Sequence, residues 1–313
     1  MSDLLQGALT VTERAALAAS MFSGRRNEQA TDVAASDAMR RALLDLPIGG
    51  TVVVGEGVRG IAPTLYNGET LGSGGPAVDI ALNAVEGANS TAMGRSNSIS
   101  VLAMVQDGTI MRVPEVYMST IAIGPGLPDD VVDLDATVEE NVRNIAQAKG
   151  VDPGDIVVCM LDRPRHDSLF AKAIHAGART LAIPDGVISG IISTALPDSP
   201  IDLYMGTAGA KEGVLAAAAL KCFGGRMRAR LLFRNDDERA MAQAWGIKDP
   251  TRVYRTTELV SGTIAFAATG INDGILLKGV RRRRDSLTTH SLIADTVSGS
   301  FRFEEKKHAR TAG

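Results

Sequence analysis

The chain has 313 residues, 45% of them hydrophobic, with a formal net charge of -3. That length suits two domains of about 100–200 residues each, or one large one, and the apolar content excludes a disordered chain. The mild negative charge offers no field for nucleic acid, 4% aromatic residues give no stacking platform, and two cysteines, Cys159 and Cys222, make no disulfide framework.

In chain order, Val11 to Phe22 is Ala-rich, with Thr12 and Glu13 at its start, and reads as a capped helix. A second helix is expected from Thr31-Asp32 to about Leu46, with Ala35, Met39, Leu43 and Leu46 at helical spacing. Asp32 in its first turn suits the helix dipole. Thr51 to Val54 is a β-branched strand that ends in Gly55-Glu56-Gly57, where two glycines let the backbone bend around one acid. Leu71 to Pro76 is a glycine-rich connector; no Lys-Ser or Lys-Thr follows it, so it is not a phosphate loop. Val78-Asp79-Ile80-Ala81-Leu82-Asn83-Ala84-Val85-Glu86-Gly87-Ala88 reads as a strand entering a tight loop. Asp79 and Glu86 sit there among apolar neighbours, where a carboxylate is costly unless it is paired or holds a metal. Ile99 to Val105 is a strand, Asp107-Gly108 a turn, and Thr109 to Val113 its returning partner.

The Gly/Pro/Asp-rich stretch Gly124 to Asp135 marks a boundary, giving an α+β half over 1–135 and an α/β half over 136–313. Helices at Thr137–Lys149, Ser168–Ala176, Val187–Thr194 and Ala210–Cys222 alternate with strands at Ile156–Leu161, Thr180–Ile183 and Ile201–Met205. That order predicts a parallel sheet with crossover helices, whose ligands bind beyond the carboxyl ends of the strands. Three loops fall there. Asp162-Arg163-Pro164-Arg165-His166-Asp167 offers two guanidinium forks for phosphate oxygens. Pro184-Asp185-Gly186 offers a carboxylate for sugar hydroxyls, and Gly206 to Gly213 brings small residues to a helix start. His166, between Arg and Asp, reads as a structural hydrogen-bonding group. Phe223 to Phe233 is strand-like, Asn235 to Trp245 helical, and Thr263 to Ile271 a strand. Arg281 to Arg284 reads as a solvated charge run. Ser286–Asp295 and Thr296–Phe303 read as closing strands, and Glu304 to Gly313 as a polar tail.

Val78-Asp79-Ile80-Ala81 followed by Asn83-Ala84-Val85-Glu86-Gly87-Ala88 resembles the motif of class II fructose-1,6-bisphosphatases, of the lithium-sensitive, inositol-monophosphatase-like phosphatase superfamily. Gly55-Glu56-Gly57, Pro114-Glu115-Val116-Tyr117, the Arg163-Pro164-Arg165-His166-Asp167 loop, Pro184-Asp185-Gly186, Glu212-Gly213 and Phe266-Ala267-Ala268-Thr269-Gly270 extend the resemblance over nearly the whole chain. It implies a layered α/β/α/β/α fold, hydrolysis of a sugar phosphomonoester with fructose 1,6-bisphosphate as the default, and Mn2+ or Mg2+ as cofactor. The implied metal ligands are Asp32, Glu56, Asn83, Glu86 and Glu212, and the implied catalytic residues Glu56 and Glu86. The implied substrate contacts are Glu86, Gly87, Ala88, Tyr117, Arg163, Pro164, Arg165, Asp185, Gly186 and Gly209. A cytoplasmic homo-oligomer that takes a sugar phosphate, and neither nucleic acid nor membrane, is expected.

The chain departs from the motif where Asn83 replaces an acid, Ala88 a threonine and Val187 an aspartate. An amide oxygen coordinates without negative charge, so weaker metal binding and slower hydrolysis follow. Two readings stand: a metal-dependent sugar-phosphate phosphatase, and a diverged paralogue that binds a sugar phosphate without efficient hydrolysis. Ser90 and Thr91 are the nearby hydroxyls that could replace the one lost at Ala88.

Overall fold

The computed structural model describes residues 1–309. The chain opens with α1 (Ser2–Ser20) and α2 (Glu28–Leu44), then β1 (Gly49–Val54), β2 (Thr70–Leu71), β3 (Ala77–Glu86), the single-turn α3 (Ala88–Ala92) and β4 (Ile99–Gln106). It continues through β5 (Tyr117–Ile123), α4 (Val138–Lys149), β6 (Val157–Leu161), α5 (Asp167–His175), β7 (Arg179–Ile183), α6 (Val187–Ser193) and β8 (Leu203–Gly209). Then come α7 (Ala210–Phe223), β9 (Arg226–Leu232), α8 (Asp236–Ala244), β10 (Val253–Arg255) and α9 (Thr256–Leu259). It closes with β11 (Ile264–Gly270), β12 (Arg281–Arg282), β13 (Ser286–Asp295) and β14 (Ser300–Ala309). The architecture is mixed α/β with two mixed sheets, in keeping with the layered α/β sugar-phosphatase class.

Two compact units form: Met1–Ile110 with the chain from Ser261 onward, and Met111–Val260 between them. The expected division at residue 135 differs from this. The Gly/Pro/Asp-rich stretch lies inside the second unit, where Asp133 N donates to Asn141 Oδ1 at 2.8 Å and Arg230 grips Asp135 with two hydrogen bonds. Loop composition marks a turn; it does not say which sheet the flanking strands join.

In the first unit the sheet order is β12-β13-β11-β4-β3-β1-β2, with β14 on β13. α1 begins at Ser2, earlier than Val11, because Leu5, Ala8, Leu9, Thr12, Ala15, Ala16 and Ala19 form one buried stripe at helical spacing. Thr12 Oγ1 meets Thr269 Oγ1 of β11 at 2.9 Å, pinning that stripe to the sheet. α2 also starts earlier than expected: Asn27 is its N-cap, accepting from Ala30 N at 2.9 Å. Asp32 therefore lies in the second turn. Thr109 to Val113 forms no strand; β4 pairs instead with β3 and β11. The expected tail is strand β14 through Ala309, paired along all of β13; Arg310 to Gly313 lie outside the described residues.

In the second unit the order is β10-β9-β5-β8-β6-β7. Only β6, β7 and β8 run parallel; β5, β9 and β10 pair antiparallel, so the sheet is mixed rather than wholly parallel. Val158 and Met160 of β6 pack with Val142 and Ile145 of α4 and Ala173 of α5. The alternate residues Val157, Cys159 and Leu161 are buried on the other face, which explains the unbroken apolar run of β6.

Candidate active site

The first unit builds its site on a defect in β3. Asn83 pairs with Val101 of β4 and Glu86 with Ile99, so three steps along β3 match two along β4. Residues three apart in a regular strand face opposite sides. The extra residue of this bulge turns Asn83 and Glu86 to the same face. They are 4% and 5% exposed. A bulge also frees backbone donors from the ladder, and Ala84 N donates to Glu56 Oε1 at 2.7 Å.

Glu56 reaches that donor because β1 ends in a bend only glycine allows. A Cβ on Gly55 would collide with Leu65 O and stand 2.6 Å from Val52 Cγ1. Gly55 N donates to Asn67 Oδ1 at 2.7 Å and Glu56 N to Leu65 O at 2.9 Å, which locks the turn. Glu56 thus reaches the backbone of the bulge that carries Asn83 and Glu86. Gly87, with φ 84, then turns the chain into α3. Glu28 Oε2 accepts from Asn89 Nδ2 of α3 at 3.1 Å, and Asp32, exposed, is one turn further along α2.

Asp79 is structural: its Oδ2 accepts from Thr109 N at 3.1 Å and Ile110 N at 3.3 Å. Near Ala88, Thr91 Oγ1 donates to Gly87 O at 3.1 Å within its own helical turn, and Ser90 is buried.

The second unit gathers its residues at one sheet edge, for a topological reason. The carboxyl ends of the parallel strands β6, β7 and β8 share that edge. Tyr117, opening the antiparallel β5, pairs with Gly209 at the end of β8 and with Leu232 at the end of β9. Arg234, two residues past Leu232, falls at the same edge.

Hydrogen bonds clip these loops together. Arg163 Nη2 donates to Asp185 Oδ1 at 2.7 Å, joining the first loop to the second. Arg165 donates from Nε and Nη2 to Thr207 O at 3.2 and 2.9 Å, joining the first to the third. His166, 1% exposed, completes the clip. Thr207 N donates to its Nε2 at 2.9 Å, so the proton is on Nδ1, which donates to Leu161 O at 2.9 Å. Burial lowers its pKa, and the Arg165 and Arg163 charges push the same way. A neutral ring with both nitrogens occupied moves no proton, as expected from the sequence. A Cβ on Gly206 (φ +151) would stand 3.0 Å from His166 Cε1, so glycine is needed beneath the ring. Pro164 opens a single 3-10 turn, and Gly186 (φ 89) turns the second loop into α6, where Val187 is buried. Gly209 is the N-cap of α7; the Glu212 carboxylate folds back onto it, where a Cβ would collide.

Tyr117, 40% exposed, has two guanidinium groups near its ring. Arg165 Cζ is 5.8 Å and Arg234 Cζ 5.7 Å from the ring centroid. Arg234 was not distinguished by the sequence; its position two residues past a strand end was the available signal.

Among the described residues no three His, Cys, Asp or Glu side chains are gathered closely enough to enclose an ion. The first unit's donors at the bulge are oxygens only, two carboxylates and an amide, and this chemistry fits a hard divalent cation.

Residues 2–308 match the family described as bacterial fructose-1,6-bisphosphatase, glpX-encoded. The chain is 39% identical over 313 residues to fructose-1,6-bisphosphatase 1 class 2 of Escherichia coli strain K12, covering 95% of this chain and 93% of that protein. Fructose-1,6-bisphosphatase class 2 of Escherichia coli O6:H1 and of Shigella flexneri match with the same identity and coverage.

Proposed function

The chain belongs to the bacterial, glpX-encoded fructose-1,6-bisphosphatase family, and from that premise we propose that it hydrolyses fructose 1,6-bisphosphate to fructose 6-phosphate and phosphate, using Mn2+ or Mg2+. The match over residues 2–308 carries this reading of a metal-dependent phosphoric monoester hydrolase. The non-hydrolysing alternative drew only on the substitutions at Asn83, Ala88 and Val187. A homo-oligomer and a cytoplasmic setting go with the family resemblance; no helix among the described residues is long and apolar enough to cross a membrane.

Glu56, Asn83 and Glu86 would hold the ion, Asp32 and Glu212 being further ligands suggested by the resemblance. A divalent cation supplies positive charge that offsets charge developing on the phosphoryl oxygens. Oxygen from water bonds to phosphorus as the phosphorus–oxygen bond to the sugar breaks; the water gives up a proton and the departing sugar oxygen takes one up from solvent to become a hydroxyl. Glu56, fixed by Ala84 N, and Glu86, fixed by the bulge, are the carboxylates assigned to receive the water proton. Gly87 and Ala88 continue the phosphate-facing turn. Arg163, Pro164 and Arg165 grip the sugar phosphate with Tyr117, while Asp185, Gly186 and Gly209 line the sugar.

The test is phosphate release from fructose 1,6-bisphosphate with Mn2+ or Mg2+, before and after chelation. Release that stops on chelation supports the reading; bound substrate with no release under either metal overturns it. In the same assay Asn83→Asp with Ala88→Thr should raise turnover, by about tenfold if one added ligand charge is worth roughly 1.4 kcal/mol.

A further inference from the structure

Arg234 is held in a way that ordinary surface arginines are not. Its Nε donates to Glu238 Oε1 at 2.6 Å, and its Nη2 contacts the same oxygen. Glu238 is itself fixed: Oε2 accepts from Arg234 N at 2.7 Å, and its backbone N donates to the Asn235 N-cap at 2.9 Å. The Glu238 side chain is 11% exposed, while that of Arg234 is 63% exposed. A rigid anchor therefore carries a fork whose Nη1 hydrogens are not used by Glu238. The ring of Tyr117 lies against that guanidinium at 5.7 Å and against Arg165 at 5.8 Å. Arg165 is anchored through Nε and Nη2 to a backbone carbonyl, again sparing Nη1. Arg163, by contrast, is charge-paired with Asp185. Two cations and a phenol thus meet at one sheet edge, both guanidinium groups anchored by hydrogen bonds.

We infer that Arg234 is a substrate-binding residue that, with Tyr117 and Arg165, grips the second phosphoryl group of the substrate, the one retained in the product. The inference rests on the proposed function and adds to it a residue that makes the enzyme select a bisphosphorylated sugar over a monophosphate. Glu238 serves as a positioning residue behind it.

The experiment pairs calorimetry with kinetics on the full chain and on Arg234→Gln and Arg234→Lys, using fructose 6-phosphate, fructose 1-phosphate and fructose 1,6-bisphosphate. The exposed side chain makes either substitution compatible with folding. Losing one charged hydrogen-bond donor should weaken fructose 6-phosphate binding by roughly 10- to 100-fold in Arg234→Gln. KM for the bisphosphate should rise in step, with kcat kept and fructose 1-phosphate kinetics unchanged; Arg234→Lys should recover part of the loss. Unchanged fructose 6-phosphate binding overturns the inference. So does an equal loss toward fructose 1-phosphate, which would make Arg234 a prop for Tyr117. If fructose 6-phosphate binding depends on Arg234 while no phosphate is released from the bisphosphate, the inference stands and the proposed reaction falls.

Discussion

At the scale of single residues, what a side chain does here is decided by what its neighbours leave for it. Asp79 and Glu86 look alike in sequence, two acids in one apolar strand. Asp79 is consumed by the backbone at Thr109 and Ile110, while Glu86 is delivered to the bulge. The same rule holds for His166, which sits in a motif rich in charge yet bonds only to Leu161 O and Thr207 N. Its pKa in the fold is lowered below the ordinary 6.5, mainly by burial. The unfolded chain therefore binds this proton at a pH where the fold does not, so stability from this group is full above about 6.5 and is lost as pH falls below it. Replacing His166 with Asn should flatten part of the fall in thermal midpoint between neutral pH and about pH 5, at a lower midpoint throughout. A slope unchanged by the substitution would show that His166 is not the group titrating. The resemblance marks the motifs, but the roles of Asp79 and His166 depend on backbone partners 30 and 41 residues away, which no local pattern reveals.

At the scale of elements, periodicity located most helices and strands, and its failures share a cause. α4, expected from Thr137 to Lys149, runs Val138–Lys149 with Thr137 and Glu140 as a reciprocal capping box at its start. The bulge in β3 was not, because an inserted residue changes facing without changing composition. Strand β14 was read as a tail past Phe303 because Glu304-Glu305-Lys306-Lys307 looks like a solvated run. In the fold, Lys306 Nζ pairs with Glu13 Oε2 at 2.7 Å, and Glu13, buried in α1, also accepts from Thr289 Oγ1 at 3.0 Å. The strand thus supplies the charge that an otherwise costly helix residue needs. Lys306→Met leaves a buried carboxylate without its cation and should lower unfolding stability by about 1–3 kcal/mol, less than a fully buried pair because the lysine is half exposed. A denaturant midpoint within error of the parent would show the pair contributes nothing.

At the scale of the whole chain, the second unit is an insertion between β4 and β11 of the first. Ser261 N donates to Thr109 O at 2.9 Å in the first unit, and Met111 N to Leu259 O at 2.8 Å in the second, so the outgoing and returning chains run side by side. The length suggested two domains or one large one, and the division was expected at a loop, since discontinuity is a property of pairing across 150 residues. The proposed metal site centres on the first unit, where a bulge turns Asn83 and Glu86 to one face and Glu56 accepts from Ala84 N. The measurement that tests this most directly is Mn2+ titration of the metal-free chain, followed by electron paramagnetic resonance, in the parent and in Glu86→Gln. The parent should bind Mn2+, and the variant should bind it at least about tenfold more weakly, with the charge of one ligand lost. A parent that binds no Mn2+, or a variant that binds it equally well, would contradict the account.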